Sequence, residues 1–136
     1  MREREDFSKY GKSFQENLCH LILIDRPFAD QMSEVLDTSF LEMKYLQVFV
    51  KKIFNYRERF NVHPSTSIMK TVFRTELIEE PESNKISIRN YFARILASPE
   101  IESAEYIKET SLNFCKKQKL KEALMKSVDL IQNSSY

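Results

Sequence analysis

One glycine, Gly11, is all the conformational freedom this chain of 136 residues is given, and proline occurs only four times. Hairpins of a sheet protein need residues that tolerate positive φ, and Gly supplies most of them. A chain this poor in Gly and Pro is expected to be a set of helices joined by short polar turns. The same scarcity excludes a phosphate-cradling loop, which needs several glycines for close backbone approach. The chain by itself is therefore neither a P-loop nucleoside triphosphatase nor a Rossmann-type dinucleotide-binding protein. Its length suits one domain with a sizeable core. The net charge of +1 gives no global drive toward nucleic acid or an anionic membrane, so any basic patch must be local.

Cys19 and Cys115 are the only cysteines, far apart in sequence, and read as free intracellular thiols. The longest apolar run, "LILI" at 21–24, is far short of a membrane span. The charged start "MREREDFSKYGKS" lacks the apolar centre of a secretion signal. A cytoplasmic location is expected, with no membrane partner.

Residues 1–12 are polar and read as a flexible N-terminus. Ser13 can cap a first helix, with Glu16 completing a capping box and Phe14, Leu18, Leu21 and Ile22 on one face. "DRP" at 25–27 stops it, and Pro27 suits the first turn of a second helix whose buried side carries Phe28, Met32, Val35 and Leu36. A long central helix is expected from about 40 to 60. Leu46, Phe49, Val50, Ile53 and Phe60 form its apolar stripe, and Lys51, Lys52, Arg57, Glu58 and Arg59 face water. "NVHPS" breaks it. Ser65 or Ser67 caps a fourth helix with Ile68, Met69, Val72 and Phe73 inward. "EEPESN" is a polar loop, and "KISIRNYFARILA" a fifth helix carrying Ile88, Tyr91, Phe92, Ile95 and Leu96.

Ser98 and Pro99 look like the start of a sixth helix, with Glu100 and Glu102 favouring its N-terminal dipole. Beyond "NFCKKQK", Leu120, Leu124, Val128 and Ile131 recur at helical spacing. Segments of about 99–114 and 117–132 are expected to form an antiparallel helical hairpin. The fold expected is all-α: a compact bundle of about five helices over 13–98, then this hairpin over 99–136. The hairpin's apolar surface reads as a docking surface for something else, a second copy included.

Residues with catalytic chemistry do not converge. His20 and His63 are the only histidines and lack zinc-site spacing. Cys115 has nothing near it to activate a thiol except lysines, and reads as a core cysteine. The carboxylates Asp25, Asp30, Glu34, Asp37, Glu79, Glu80, Glu82, Glu100 and Glu102 are scattered, without a general acid–base pair. No catalytic, cofactor-binding or metal site is expected in this chain. Lys116, Lys117, Lys119 and Lys121 are candidates for nucleic-acid or partner contact, with Phe114 and Tyr106 near enough for base stacking. Glu109 and Glu122 lie among them, and a solvated turn that satisfies a helix dipole outweighs direct contact.

Three stretches together carry a resemblance: "FQENLCHLILIDRPFADQMSEVL", "SFLEMKYLQVFVKKIFNYRERFNVHPSTSIM" and "SPEIESAEYIKETSLNFCKKQKLKEALMKSVDLIQNSSY". In order and spacing they resemble the N-terminal domain of DnaB-type hexameric replicative DNA helicases, and more closely the version carried by large tailed phages. The middle stretch has the family's aromatic (Phe40) before a long helix with an aliphatic–Phe pair (Val48–Phe49), then the Pro64–Ser65 start of the next helix. It departs at Asn61–Val62, where bacterial relatives carry Gly, and at Met43 and Tyr45, where they carry Pro and His. The departures favour the phage type.

The resemblance implies an architectural role. Such domains pair through their terminal hairpins, form a collar on the hexamer and recruit primase. ATP, Mg and single-stranded DNA are handled by the full hexamer through a RecA-like domain, and the chain is expected to be the N-terminal part of a longer product in a bacterial host's cytoplasm. The implied surface for self-association or a partner comprises Tyr106, Phe114, Leu120, Leu124 and Val128. The alternative reading is a free-standing helical nucleic-acid-binding or regulatory phage protein that uses the lysines at 116–121. A small enzyme built on Cys115 is the least supported.

Overall fold

The computed structural model of the chain describes residues 5–134. Every regular element among them is helical, and the protein is an all-α bundle. Six α-helices follow one another: α1 (Gly11–Ile24), α2 (Arg26–Val35), α3 (Lys44–Phe60), α4 (Thr66–Thr75), α5 (Glu82–Ala97) and α6 (Ala104–Ser134).

The chain is anchored from its first turn. Phe7 opens a short 3-10 turn, Phe7–Tyr10, capped by the Asp6 carboxylate, which accepts from the Ser8 N–H at 2.9 Å. Phe7 is fully buried, 4.5 Å from the Phe114 ring and edge-on to Phe40. The expected flexibility of residues 1–12 therefore does not extend to 7–12, because burying one aromatic outweighs the ordering of its polar neighbours; the first four lie outside the described residues. Gly11 follows with φ of 87°, a backbone conformation in which only glycine is unstrained. The chain's single glycine thus stands where the 3-10 turn passes into α1.

Helix α1 begins at Gly11 with no side-chain cap, rather than at Ser13. The expected capping box does not form, because Glu16 is engaged elsewhere, by Arg94 and Tyr45. The start of α2 is as expected. The Asp25 carboxylate accepts from the Phe28 N–H at 3.0 Å and Pro27 lies in the first turn, where its missing N–H removes nothing. Ser65 caps α4 through a 3.0 Å bond from the Ile68 N–H. Asn61 ends α3 in the left-handed conformation, with φ of 56°.

The core joins all six helices. Leu18 and Ile22 of α1, Met32 of α2, Leu46, Phe49 and Ile53 of α3, Met69 of α4 and Tyr91 of α5 are each completely buried. Phe49 stacks on Phe73 at 5.1 Å and meets Tyr91 edge-on at 4.9 Å. Phe60, expected on the buried stripe of α3, is exposed, and so is Leu96 of α5. Both lie near the ends of their helices.

Two expectations about the C-terminal part are corrected. Ser98 does not cap a sixth helix. It ends α5, its N–H bonded to the Arg94 carbonyl at 3.1 Å. The chain then crosses to Ser103, whose φ of 58° no α-helix can accommodate, so α6 starts only at Ala104. Nor is there a hairpin: α6 runs unbroken from Ala104 to Ser134. No Gly or Pro occurs after Pro99, and "CKKQKLKEALMK" is almost entirely strong helix formers. The core also passes the expected boundary at 98, since Ile107, Phe114, Cys115 and Gln118 of α6 are buried.

Candidate interaction surface

The first half of α6 lies on α1 and α2, and the second half is exposed, with polar ties such as those of Lys119 to Glu34 and Lys121 to Glu5 near its start. Ile107, Ser111, Phe114, Cys115 and Gln118 face the core, whereas residues 119–134 are exposed at every position. At 1.5 Å per residue, the uncovered part is about 24 Å long. It carries Leu120, Leu124, Met125, Val128, Leu130 and Ile131, all largely exposed. At about 100° per residue, Leu120, Leu124, Val128 and Ile131 share a stripe rotated about 120° from the face that Phe114 and Gln118 turn to the core. The stripe is thus a second apolar face. Leu124, Val128 and Ile131 follow the four-then-three spacing of a seam between paired helices.

Four of the five residues expected at a self-association surface lie on this face. Leu120, Leu124 and Val128 belong to the uncovered half. Tyr106 is exposed at the other end of the same face, about 27 Å away along the helix axis. Phe114 does not belong there. It is 6% exposed and lies edge-on to Phe40 at 5.5 Å, so it is core and has no ring face left for a partner or a base.

The four candidate lysines divide into two pairs. The Lys119 ammonium donates at 2.6 Å to the backbone carbonyl of Glu34, in the last turn of α2, where a cation meets the negative end of the helix dipole. Lys121 pairs with Glu5 at 3.3 Å, and Gln118 donates to the other oxygen of that carboxylate at 3.0 Å. These two bonds lower the Glu5 pKa, Lys121 contributing most. Lys116 and Lys117 are exposed, with no ion pair among the described residues.

Sequence reasoning passed over the polar ties that hold the first three helices. Gln15 is completely buried. Its amide nitrogen lies 3.3 Å from the Phe7 carbonyl and 3.2 Å from a Glu42 carboxylate oxygen, and its oxygen accepts from the Glu42 N–H at 2.7 Å. Its only sequence signal is a polar residue one position after Phe14, on the inward side of a helix. His63 is similarly clamped. Its Nε2 lies 2.6 Å from the Leu23 carbonyl, which can only accept, so Nε2 carries the proton and Nδ1 accepts from Arg57 at 2.7 Å. Arg57 also pairs with Asp30.

The thiols face away from nucleophilic chemistry. Both are buried, and burial pushes the Cys115 thiol up to about 12 and Cys19 well above its ordinary value, opposite to the shift an activated thiolate needs. Among the described residues, no three His, Cys, Asp or Glu side chains converge as a metal site would require. No helix among them is long and apolar enough to cross a membrane. No family model, curated protein or solved structure matches this chain.

Proposed function

We propose that this chain is the N-terminal collar domain of a DnaB-type hexameric replicative helicase, an oligomerisation module that pairs with a second copy and recruits primase. The observation that supports this reading is the uncovered half of α6. A helix segment of this length with no tertiary cover is marginal in water, and one that also exposes a row of Leu, Val and Ile gains most by covering that row. An isologous pairing of two copies does so with a single surface. The pairing element is a single helix, where a hairpin was expected. On this reading ATP, Mg and single-stranded DNA are bound by the hexamer through a RecA-like domain, since one glycine in these 136 residues cannot furnish a phosphate loop.

Sedimentation equilibrium over a wide concentration range tests the pairing. The expected result is a reversible monomer–dimer or higher equilibrium that Leu124→Asp shifts to monomer without loss of helical circular dichroism. A wild-type chain that stays monomeric at millimolar concentration would sink the reading. In the helicase, the same substitution is expected to impair hexamer assembly.

One observation favours a second reading, a free-standing nucleic-acid-binding protein: Lys116 and Lys117 stand exposed without a carboxylate partner among the described residues. That reading requires tight, salt-dependent binding of an oligonucleotide, abolished by Lys116→Glu with Lys117→Glu.

A further inference from the structure

On the side of the bundle where α3 meets α4, an open groove of about 450 Å³ runs between the two helices. Its apolar wall is aromatic. The rings of Tyr56 and Phe60 lie 4.7 Å apart, and Phe60 is 51% exposed. Ile68 faces them from α4, also partly exposed. Lys52 and Arg59 stand on the α3 rim, the Arg59 guanidinium 5.0 Å above the Phe60 ring. Neither cation has an ion-pair partner among the described residues, and Glu76, at the end of α4, is the single carboxylate lining the groove. The groove therefore joins an apolar cleft to two positive charges that no carboxylate neutralises among the described residues, in a chain whose net charge is only +1.

We infer that this groove is a docking site for an acidic amphipathic segment of another protein. A bulky apolar side chain of the partner enters between Tyr56, Phe60 and Ile68, and its flanking carboxylates meet Lys52 and Arg59. Aromatic and Arg side chains around a cleft are the residue types that dominate binding energy at protein interfaces. Charge complementarity then selects the partner.

Other occupants fit less well. The exposed stripe of a second copy's α6 has Lys117 and Lys121 beside it, which would bring cations against Lys52 and Arg59. A nucleic-acid strand needs a basic track along its backbone, and here only two cations line the groove, with the Glu76 carboxylate among them. The inference does not rest on the helicase reading, because it uses a different face of the molecule and holds for a free-standing protein as well.

Panning a randomised library of 15-residue peptides (about four helical turns) on the full chain tests it, with counter-selection on Lys52→Glu/Arg59→Glu. These substitutions are at exposed or half-exposed positions, and circular dichroism checks that the fold survives. The expected result is enrichment of peptides with net negative charge and Leu or aromatic residues at helical spacing. Their affinity should fall at least about tenfold in the double variant and in Phe60→Ala, with little response to Leu124→Asp. Enrichment of neutral or basic peptides, equal binding to the double variant, or no enrichment would each overturn the inference. So would an oligo-dT strand that binds more tightly than any selected peptide and is lost in the double variant, which would make the groove a nucleic-acid site.

Discussion

Arg94 holds the carboxylate of Glu16 with both terminal nitrogens, at 2.9 and 2.7 Å, and so ties α5 to α1 across 78 positions of sequence. The Tyr45 hydroxyl donates to the same carboxylate at 2.5 Å, and the Tyr91 hydroxyl to the Glu16 backbone carbonyl. One residue of α1 thereby receives bonds from α3 and α5. Glu16→Gln keeps the shape but cannot match two guanidinium donors and a phenol. Because Arg94 is half exposed, water offsets part of the loss, and a destabilisation of about 1–2 kcal/mol is predicted. Arg94→Lys should recover little of an Arg94→Ala loss, since an ammonium cannot make the forked contact. Urea unfolding of the three variants checks both statements.

The same carboxylate makes stability depend on pH. The hydrogen bonds from Arg94, opposed by burial and aided by Tyr45, hold the Glu16 pKa below its ordinary value. The unfolded chain then takes up that proton first. Its contribution is complete above the unfolded pKa and disappears as pH falls through the folded one. His20, buried in α1, is also shifted down, by desolvation. The unfolded chain protonates it near the ordinary histidine value of about 6.5, while the folded chain resists. Urea midpoints measured downward from neutral pH are therefore predicted to fall in two steps, one just below that value and one in the carboxylate range. Glu16→Gln should flatten the lower step and His20→Gln the upper. A midpoint constant down to pH 4 would contradict both.

Phe7 is predicted to matter more than its position near a charged terminus suggests. It is enclosed by Phe114, Phe40, Phe14 and Tyr10. Phe7→Ala is expected to cost about 3–4 kcal/mol, the range for a buried aromatic truncated in a core. Gly11→Ala should cost less, about 1 kcal/mol, because nothing lies near the added methyl and only the positive φ opposes it. If thermal unfolding ranks the two the other way, the turn and not the aromatic cluster anchors the N-terminus.

What could be read from the sequence was local. Asp25–Pro27, Ser65 and the turn around Asn61 mark helix ends by their own chemistry, and the inward faces of α2 to α5 follow from apolar spacing except at Phe60, Ile68 and Leu96, which were expected inward and are exposed. The long pairings were illegible: nothing in "FQEN" shows that Glu16 meets Arg94, or that Gln15 is buried against Glu42. The error at α6 has a definite cause. Apolar spacing fixes which residues share a face, but not whether a helix continues through a polar stretch, and the lysines at 116–121 looked like a turn. Lys119 and Lys121 instead reach across to Glu34 and Glu5 from an unbroken helix. The exposed stripe survived that error because Leu120, Leu124 and Val128 share a face in either case. The α3–α4 groove was missed because Phe60 fits the periodicity of α3's buried side yet lies about two turns beyond Ile53, the last buried residue of that helix.

The continuity of α6 makes a prediction that separates its two halves. Residues 107–118 are held by core contacts, so their amides should exchange with solvent only on sub-global or global opening. Residues 119–134 have helical hydrogen bonds but are exposed at every position, with polar ties such as those of Lys119 and Lys121 near their start, and an exposed segment of that length frays readily. In dilute solution their amides are predicted to exchange at least about 100-fold faster than those of 107–118, a difference of roughly 3 kcal/mol in opening free energy. Raising the concentration should slow exchange in 119–134 selectively if a second copy covers the Leu120–Ile131 stripe, and Leu124→Asp should abolish that slowing. Fast exchange at every concentration would mean that the stripe waits for a different protein. Uniform protection of both halves in a monomer would mean that the distal helix is covered by part of its own chain.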